Sequence, residues 1–430
     1  MKKRMLAALL AAMLMLTFVA CGNSAGSTGS TTPSGSTTTS GGSDEPSSYV
    51  QGVTDTEIII GNSAATSGAY APVGVPFVAG IEAYLKMVNE EGGIDGRTVT
   101  FNHYTDDEFD PVKGKAALTA MVEDEKYFAI VGHFGTPVVA ATIEDLKEYG
   151  IPSVYFATGI GQLYADHATT NEEGYNIFPV QPIYRTEGKI MVAYAAGQFN
   201  AKKIGIIYTN DDAGMNLFDG ATEQVAEVDG VELVSAQVTA GTADVSAAVT
   251  TIKNADVDYV IVASIQATMP TIVKELANQG VNKDCITTYV NVSSAMSEAV
   301  VNDISGKFDV YGLGWVAYDD PSALEQYQSY ISEEYAMNAY AQTGWIAAHF
   351  FCEGLRRLEG EEVTWASYMA ALEEAPIQNP FGGIIDFSDG KRLGTQEMNL
   401  SKVVPMSDAA PAGWEAITGL KSIDSLLSEA

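Results

Sequence analysis

The fold is indicated by the stretch YFAIVGHFGTPVVAATIEDLKEYGIPSVYFATG, residues 127–159, in which two short apolar runs flank an amphipathic segment. The runs 127–135 and 151–159 are apolar and aromatic and end in small residues, which is typical of buried strands. Residues 136–150 begin with Thr-Pro, space their apolar side chains as a helix does, and end in glycine. A strand, a helix of this length and a second strand predict a βαβ unit with parallel strands.

The same alternation extends outward in both directions, and it restarts near residue 181. Strand patterns lie at 57–64, 97–107, 202–212, 231–240, 257–265 and 285–291, and helical patterns at 74–93, 111–125, 213–230, 244–256 and 269–280. Strands that alternate with helices of this length form parallel sheets covered on both faces. The sequence therefore predicts an α/β protein with two doubly wound lobes and a ligand cleft between them, beyond the carboxyl ends of the strands.

The first residues have the parts of a secretory signal peptide, predicted over residues 1–20. A basic segment, Lys2 to Arg4, precedes an apolar run, Met5 to Val19, which is shorter than a membrane span. Residues 18–21, Phe-Val-Ala-Cys, resemble the bacterial lipobox, so we expect cleavage before Cys21 and lipidation of its thiol. The alternative is an ordinary signal peptide followed by an incidental cysteine. Residues 21–51 are rich in Ser, Gly and Thr and predict a flexible tether.

Composition limits the partners of the mature chain. Lys and Arg number 23 against 55 Asp and Glu, a formal net charge of −32, which argues against nucleic acid as a partner. The same charge disfavours electrostatic adhesion to anionic lipid, so the N-terminal lipid would hold the protein at the membrane. The sequence contains no H-E-x-x-H or G-x-x-x-x-G-K-[ST] motif, and we expect neither an enzyme nor a cofactor or metal. Cys285 and Cys352 fall in different predicted lobes, so we expect two buried free thiols.

Six segments in order resemble the branched-chain amino-acid (Leu/Ile/Val) binding proteins of ABC transporters, which have a type I periplasmic-binding-protein fold. The resemblance covers residues 52–408. Its segments are SGAYAPVG (67–74), VNEEGGIDGR (88–97), YTDDEFDP (104–111), IVGHFGT (130–136), GIPSVYFAT (150–158) and FGGIIDFSDGKR (381–392).

This resemblance implies lobes that are discontinuous in sequence, joined by three crossings. Lobe one would hold 52–180 plus 312–385, and lobe two 181–311 plus 386–408, with 409–430 as a C-terminal tail. It also implies a function: an extracytoplasmic, lipid-anchored, monomeric protein that captures a small molecule and delivers it to an ABC permease. A ligand sensor with the same fold is the alternative.

The resemblance further implies site residues in lobe one. Thr136 and Thr158 would bind the α-carboxylate of a ligand, while the strand end at Phe156 and Ala157 would offer a backbone carbonyl to its amine. Tyr70 would form a wall around the ligand side chain. The alternative for Thr136 is a helix cap, and for Tyr70 a surface position.

Lobe two departs from the family pattern, which places the ligand's amine in doubt. Ala213 stands where an aromatic residue is usual, Gln266 where a tyrosine is common, and Asn291 in the loop that usually supplies an acid. Asp211 or Asp212 could supply the missing negative charge, and Asn291 could form a hydrogen bond with a neutral polar group. The alternative is that these are simple loop residues. The expected ligand is a branched-chain or other apolar amino acid; the alternative is a small amide or aromatic carboxylate.

Overall fold

The computed structural model describes residues 50–318 and 320–428, without the side chain of Tyr104. The predicted signal peptide, Cys21 and the tether up to residue 49 lie outside the described residues. The strands are β1 (Glu57–Ala64), β2 (Thr98–Asp106), β3 (Ala129–Phe134), β4 (Ser153–Ala157), β5 (Ile177–Phe178), β6 (Lys203–Thr209), β7 (Glu232–Val238), β8 (Tyr259–Ala263), β9 (Cys285–Thr287), β10 (Val310–Gly314), β11 (Ile377–Gln378), β12 (Ile384–Ile385), β13 (Glu397–Val403), β14 (Trp414–Ala416) and β15 (Lys421–Ser422). The helices are α1 (Ala71–Glu90), α2 (Pro111–Glu123), α3 (Thr136–Tyr149), α4 (Tyr184–Ala193), α5 (Asp212–Glu227), α6 (Ser246–Ala255), α7 (Thr268–Gln279), α8 (Ser294–Ile304), α9 (Pro321–Tyr330), α10 (Ala339–Arg356), α11 (Trp365–Glu373) and α12 (Ile423–Ser428).

The first lobe is built on a parallel sheet with the strand order β2-β1-β3-β4-β5. All six residues of β3 are buried, as expected for a central strand covered by helices on both faces. The predicted βαβ unit of residues 127–159 is β3, α3 and β4, and the two strands pair in parallel from Ile130 to Phe134. The α/β prediction is therefore confirmed at the segment that suggested it.

Helices α1 and α10 cross closely on one face of this sheet, and two glycines permit the approach. A Cβ atom on Gly80 would lie 1.9 Å from the carbonyl oxygen of Ala341, and one on Gly344 would lie 1.9 Å from that of Phe77. The segment Gly68–Glu90 is long and apolar enough to cross a membrane by composition, but 61% of its most apolar window is buried inside the protein. It is therefore a core helix of lobe one.

The second lobe is built on a larger sheet with the order β14-β13-β10-β9-β8-β6-β7, and β15 pairs with β13. Its strands β6 to β10 pair in parallel, whereas β13 runs antiparallel to both β10 and β14. Ile207, Val260 and Val262 of the central strands pack against the helices in a second apolar cluster. Both lobes thus have the doubly wound α/β architecture that the sequence predicts.

The structure corrects three of the expected boundaries. Strand β10 runs to Gly314, so the second sheet continues past residue 311; Leu313 and Gly314 are held there by pairing with β13. Residues 386–392, expected in lobe two, stay with lobe one, where Arg392 donates to the carboxylate of Glu373. Residues 409–428, the described part of the expected tail, are structured: β14 and β15 pair with β13 of the second sheet, and α12 packs on α4.

The two cysteines among the described residues are in different lobes. Cys285 lies in β9 and Cys352 in α10, and both are buried free thiols, as predicted. Burial raises the pKa of both thiols, that of Cys352 to about 12. Both therefore remain protonated and unreactive at neutral pH.

Candidate functional site

A cavity of about 640 Å³ lies between the two sheets and is lined by residues from both lobes. Its wall is mostly apolar and aromatic, and none of its lining residues within the described part of the chain is Asp, Glu, Lys, Arg or His. Polar groups enter it through hydroxyl and amide side chains. The principal aromatic contributors are Phe109, Phe134, Tyr289, Trp315, Tyr340 and Trp414.

A cluster of three hydroxyl groups forms one polar point of this site. Thr136, the first residue of α3, lines the cavity, and its Oγ1 lies 2.9 Å from Oγ1 of the buried Thr158. Tyr184, the first residue of α4, lines the same cavity, and its hydroxyl lies near both threonines; burial raises its pKa, so this hydroxyl stays protonated. The first-turn N–H groups of α3 have no intrahelical partners and carry the positive end of the helix dipole. This point of the cavity therefore offers neutral donors suited to a carboxylate or carbonyl oxygen.

An acidic loop between β2 and α2 places Phe109 in the wall. Asp107 is buried, accepts hydrogen bonds from Ser63 Oγ and from the N–H of Phe109, both at 2.9 Å, and has a pKa raised to about 6 by burial. Asp110 caps α2 by accepting from two backbone N–H groups. Tyr70 stacks on Phe109 with ring centroids 3.7 Å apart and is not itself a lining residue. The aromatic wall expected at Tyr70 is therefore formed by Phe109, with Tyr70 behind it.

The strand end of β8 presents Gln266 to the cavity. Gln266 has a positive φ of 48°, and its backbone N–H donates to Oδ1 of Asn291 at 2.7 Å. The amide nitrogen of Asn291 donates to Ser264 O and Thr287 Oγ1, both at 2.7 Å. Because both ends of this fully buried amide are engaged, Asn291 positions Gln266. The structure gives Asn291 no place in the cavity lining.

The remaining predicted residues separate into two groups. Ala157 lines the cavity at the end of β4, whereas Phe156 is buried in the core of lobe one and does not. Asp212 is exposed at the start of α5 and is not among the residues that line the cavity. Its neighbour Asp211 caps the same helix. The structure thus brings Thr136, Ala157 and Gln266 to one cavity, with Thr158 directly behind Thr136. It does not bring Asp212 there as a partner for a ligand amine.

A buried network supports the wall on the lobe-two side. Glu187 is fully buried, accepts from Thr288 Oγ1 at 2.6 Å and from the N–H of Tyr289 at 2.9 Å, and has a pKa raised to about 8 by burial. The hydroxyl of Tyr289 donates to Gln181 Oε1 at 2.7 Å, and Gln181 Nε2 donates to Tyr155 at 2.6 Å. The lining side chains Tyr289 and Gln181 are therefore held in fixed positions before any ligand binds.

Sequence reasoning did not identify most of the aromatic wall. Trp315 follows β10 directly, so the strand-end rule would have found it if β10 had been assigned to the second sheet. Tyr184, Tyr340 and Gln342 lie in the first turns of helices that follow lobe crossings, where no local motif marks a cavity.

Two α/β lobes that enclose a solute-sized cavity define a substrate-binding protein. The sequence model of the periplasmic binding protein family matches residues 57–410, and the chain belongs to that family. The predicted resemblance to Leu/Ile/Val-binding proteins of ABC transporters is confirmed: the Leu/Ile/Val-binding protein homolog 2 of Brucella abortus is 24% identical over 61% of this chain and 68% of its own length.

Solved structures with the same fold bind different solutes. A fatty acid ABC transporter substrate-binding protein from Thermomonospora curvata has a TM-score of 0.74 at 17% identity, covering 89% of this chain and 96% of its own. A branched-chain amino acid ABC transporter from Thermus thermophilus with bound valine has a TM-score of 0.73 at 17% identity, with 87% and 99% covered. A solute-binding protein of an ABC transporter from R. palustris in complex with benzoate has a TM-score of 0.70 at 18% identity, with 85% and 96% covered. The chain is therefore a member of the periplasmic binding protein family, and its fold is shared with solute-binding proteins of ABC transporters.

Proposed function

We propose that the chain captures an apolar monocarboxylate, aromatic or aliphatic, and delivers it to an ABC permease. The observation that carries the proposal is the cavity wall: aromatic and apolar, with hydroxyl donors at one point and no charged side chain among the described lining residues. A carboxylate needs donors, and two threonines, Tyr184 and a helix N-terminus supply them. An apolar body of the ligand then fills the aromatic part of the cavity.

An α-amino acid fits this wall less well, because it also brings an ammonium group. Burying an ammonium without a paired acid costs several kcal/mol, since its hydration is lost and not replaced. Asp212 is exposed and outside the lining, and Glu187 is directed into its own hydrogen bonds with Thr288 and Tyr289. The fatty-acid and benzoate proteins show that this fold accommodates carboxylates without an amine. The amino-acid alternative is supported by the Leu/Ile/Val-binding relatives and the valine complex.

Matched pairs of ligands that differ only by the α-ammonium test the proposal. We suggest calorimetric titration of the mature protein with leucine against 4-methylpentanoate, and with phenylalanine against 3-phenylpropionate. The proposal predicts that the deaminated member of each pair binds at least about tenfold more tightly, a difference of about 1.4 kcal/mol. Tighter binding of leucine or phenylalanine would refute the carboxylate assignment and restore the amino-acid one.

We also propose that the mature chain is anchored to the outer face of the membrane through lipid on Cys21 and acts as a monomer. Cys21→Ser should move the protein from the membrane fraction to the soluble extracytoplasmic fraction, because two or three acyl chains are what holds it. A variant that fractionates with the membrane as the parent does would show that the anchor lies elsewhere. A permease gene beside this one would favour transport over ligand sensing.

A further inference from the structure

Two buried amide atoms in the cavity have no hydrogen-bond partner among the described residues. They are Oε1 of Gln266, an acceptor, and Nε2 of Gln342, a donor. Both glutamines line the cavity, and their relative exposures are 9% and 3%. Buried polar atoms in folded proteins are nearly always paired, so two unpaired amide atoms on side chains that line one cavity need an explanation.

The orientation of Gln342 is fixed by its other atom. Gln342 lies in the first turn of α10, and its Oε1 accepts a hydrogen bond from the hydroxyl of Tyr318 at 2.5 Å. With Oε1 placed in this bond, Nε2 occupies the remaining position, where it is a donor. If Gln342 served only to hold Tyr318, an acceptor alone would suffice, and the buried N–H groups would be an unused cost.

Gln266 is held at its backbone, where the 2.7 Å bond to Asn291 fixes the turn after β8. Another lining glutamine shows the contrast. Gln181 uses both ends of its amide, donating to Tyr155 and accepting from Tyr289. The unpaired atoms are therefore specific to Gln266 and Gln342 and are not a general property of amides in this cavity.

We propose that Gln342 and Gln266 form a second polar subsite, which recognises a neutral group on the ligand that both accepts and donates hydrogen bonds, such as a hydroxyl or carboxamide. Gln342 Nε2 donates to this group and Gln266 Oε1 accepts from it. This inference rests on the proposed function for the carboxylate end and adds a second, uncharged polar group to the ligand's apolar body. Gln342 is then a specificity-determining residue.

The test compares a 4-hydroxy with a 4-methyl substituent on two scaffolds. The first pair is 3-(4-hydroxyphenyl)propionate and 3-(4-methylphenyl)propionate; the second is tyrosine and 4-methylphenylalanine. In each pair the two substituents are similar in size, and only the hydroxyl can use the subsite. We expect the parent protein to prefer the hydroxyl compound about tenfold or more, and Gln342→Met to reduce that ratio to about one. Gln224→Met is the control: Gln224 is a buried glutamine of α5 that lies outside the cavity lining, so this variant should leave the ratio unchanged.

The two scaffolds separate failure of the subsite from failure of the proposed function. A hydroxyl preference that appears only with the amino acids supports the subsite and refutes the carboxylate proposal. No preference on either scaffold, or a preference that survives Gln342→Met, overturns the subsite. Thermal unfolding without ligand adds a second criterion, because Tyr318→Phe/Gln342→Met removes both partners of one bond and leaves no new unpaired group. Its Tm should stay within about 2 °C of the parent's; a larger fall would mean that Gln342 is structural and would also overturn the proposal.

Discussion

Replacement of Thr136 by valine tests the donor cluster most directly, because valine keeps the shape of threonine and removes only the hydroxyl. In the ligand-free protein that hydroxyl forms a 2.9 Å hydrogen bond with Thr158 and lies near the hydroxyl of Tyr184. In the complex it would donate to a carboxylate, and such a charge-assisted bond contributes about 1.5–3 kcal/mol. The loss corresponds to an affinity roughly ten to a hundred times lower. Because the hydroxyls of Thr158 and Tyr184 remain near the site, we expect a value near the lower limit.

The assay is calorimetric titration with 3-phenylpropionate and with the neutral analogue 3-phenylpropanol. Thr136→Val should lose affinity for the carboxylate and very little for the alcohol. Thr158→Val should behave similarly, and the double variant should lose less than the sum of the two, since both hydroxyls belong to one network. Thr142→Val is the control: it lies on the same helix, is fully buried and bonds His133, so it should lower Tm and leave affinity unchanged. If Thr136→Val binds the carboxylate as tightly as the parent, or loses both ligands equally, the donor cluster is not a carboxylate site.

Three further predictions concern the scaffold. The pKa of Glu187 in the folded protein, about 8, lies above its unfolded value, so its contribution to stability is complete at low pH and is lost as pH rises through about 8. In the parent this loss amounts to up to about 1.4 kcal/mol of unfolding free energy per pH unit, and Glu187→Gln should abolish it. The variant should therefore show a flatter dependence of Tm on pH between 5 and 9. The side-chain oxygen of Asn216, in lobe two, accepts a hydrogen bond from the N–H of Gly161, in lobe one, at 2.8 Å. Asn216→Ala should therefore lower the affinities for 3-phenylpropionate and 3-phenylpropanol alike, by about two- to tenfold. An effect on the affinity for one ligand alone would contradict a role in the contact between the lobes. Gly344→Ala should destabilise the protein by about 1–3 kcal/mol, because the new methyl group forces α1 and α10 apart. Gly419→Ala is the control and should not destabilise the protein, since no atom lies within 4 Å of its new Cβ. Equal Tm values for the two variants would show that the helix crossing is loosely packed.

The fold could be predicted from sequence because its evidence is local and repeated. Each strand and helix carries its own periodicity, and the restart near residue 181 separates the two sheets. The helical pattern at residues 111–125 is observed as α2, which begins at Pro111 and is capped by Asp110. The lobe boundaries were less accurate because they depend on pairing between distant segments. β10 pairs with β13, more than eighty residues later, and nothing within residues 310–314 specifies that partner.

Site residues could be predicted from the sequence only where they lie at the end of a strand in a predicted βα unit. Thr136 and Ala157 satisfy that condition and lie in the cavity. Tyr184 and Gln342 come from helices that follow lobe crossings, so their positions depend on how the lobes close and not on any local pattern. The same limit explains Tyr70, which was placed at the wall but is separated from the cavity by Phe109.

The second lobe supplies the structural argument for the proposed ligand class. In the family pattern an acid near residue 290 receives the ligand's ammonium, but here Asn291 uses its amide to hold the turn that presents Gln266. An amide in place of a carboxylate removes the charge that would attract an ammonium and retains the ability to fix the backbone. The buried Glu187 is the acid that remains nearby, and it bonds the N–H of Tyr289, which orients an aromatic wall instead of a cation. These exchanges change the lobe-two side from charge recognition to apolar contact with neutral hydrogen bonds. Their combined effect should be a site that discriminates against zwitterionic ligands. An ammonium group that enters the described part of the cavity must lose its hydration and finds no carboxylate there to pair with, so its burial costs free energy.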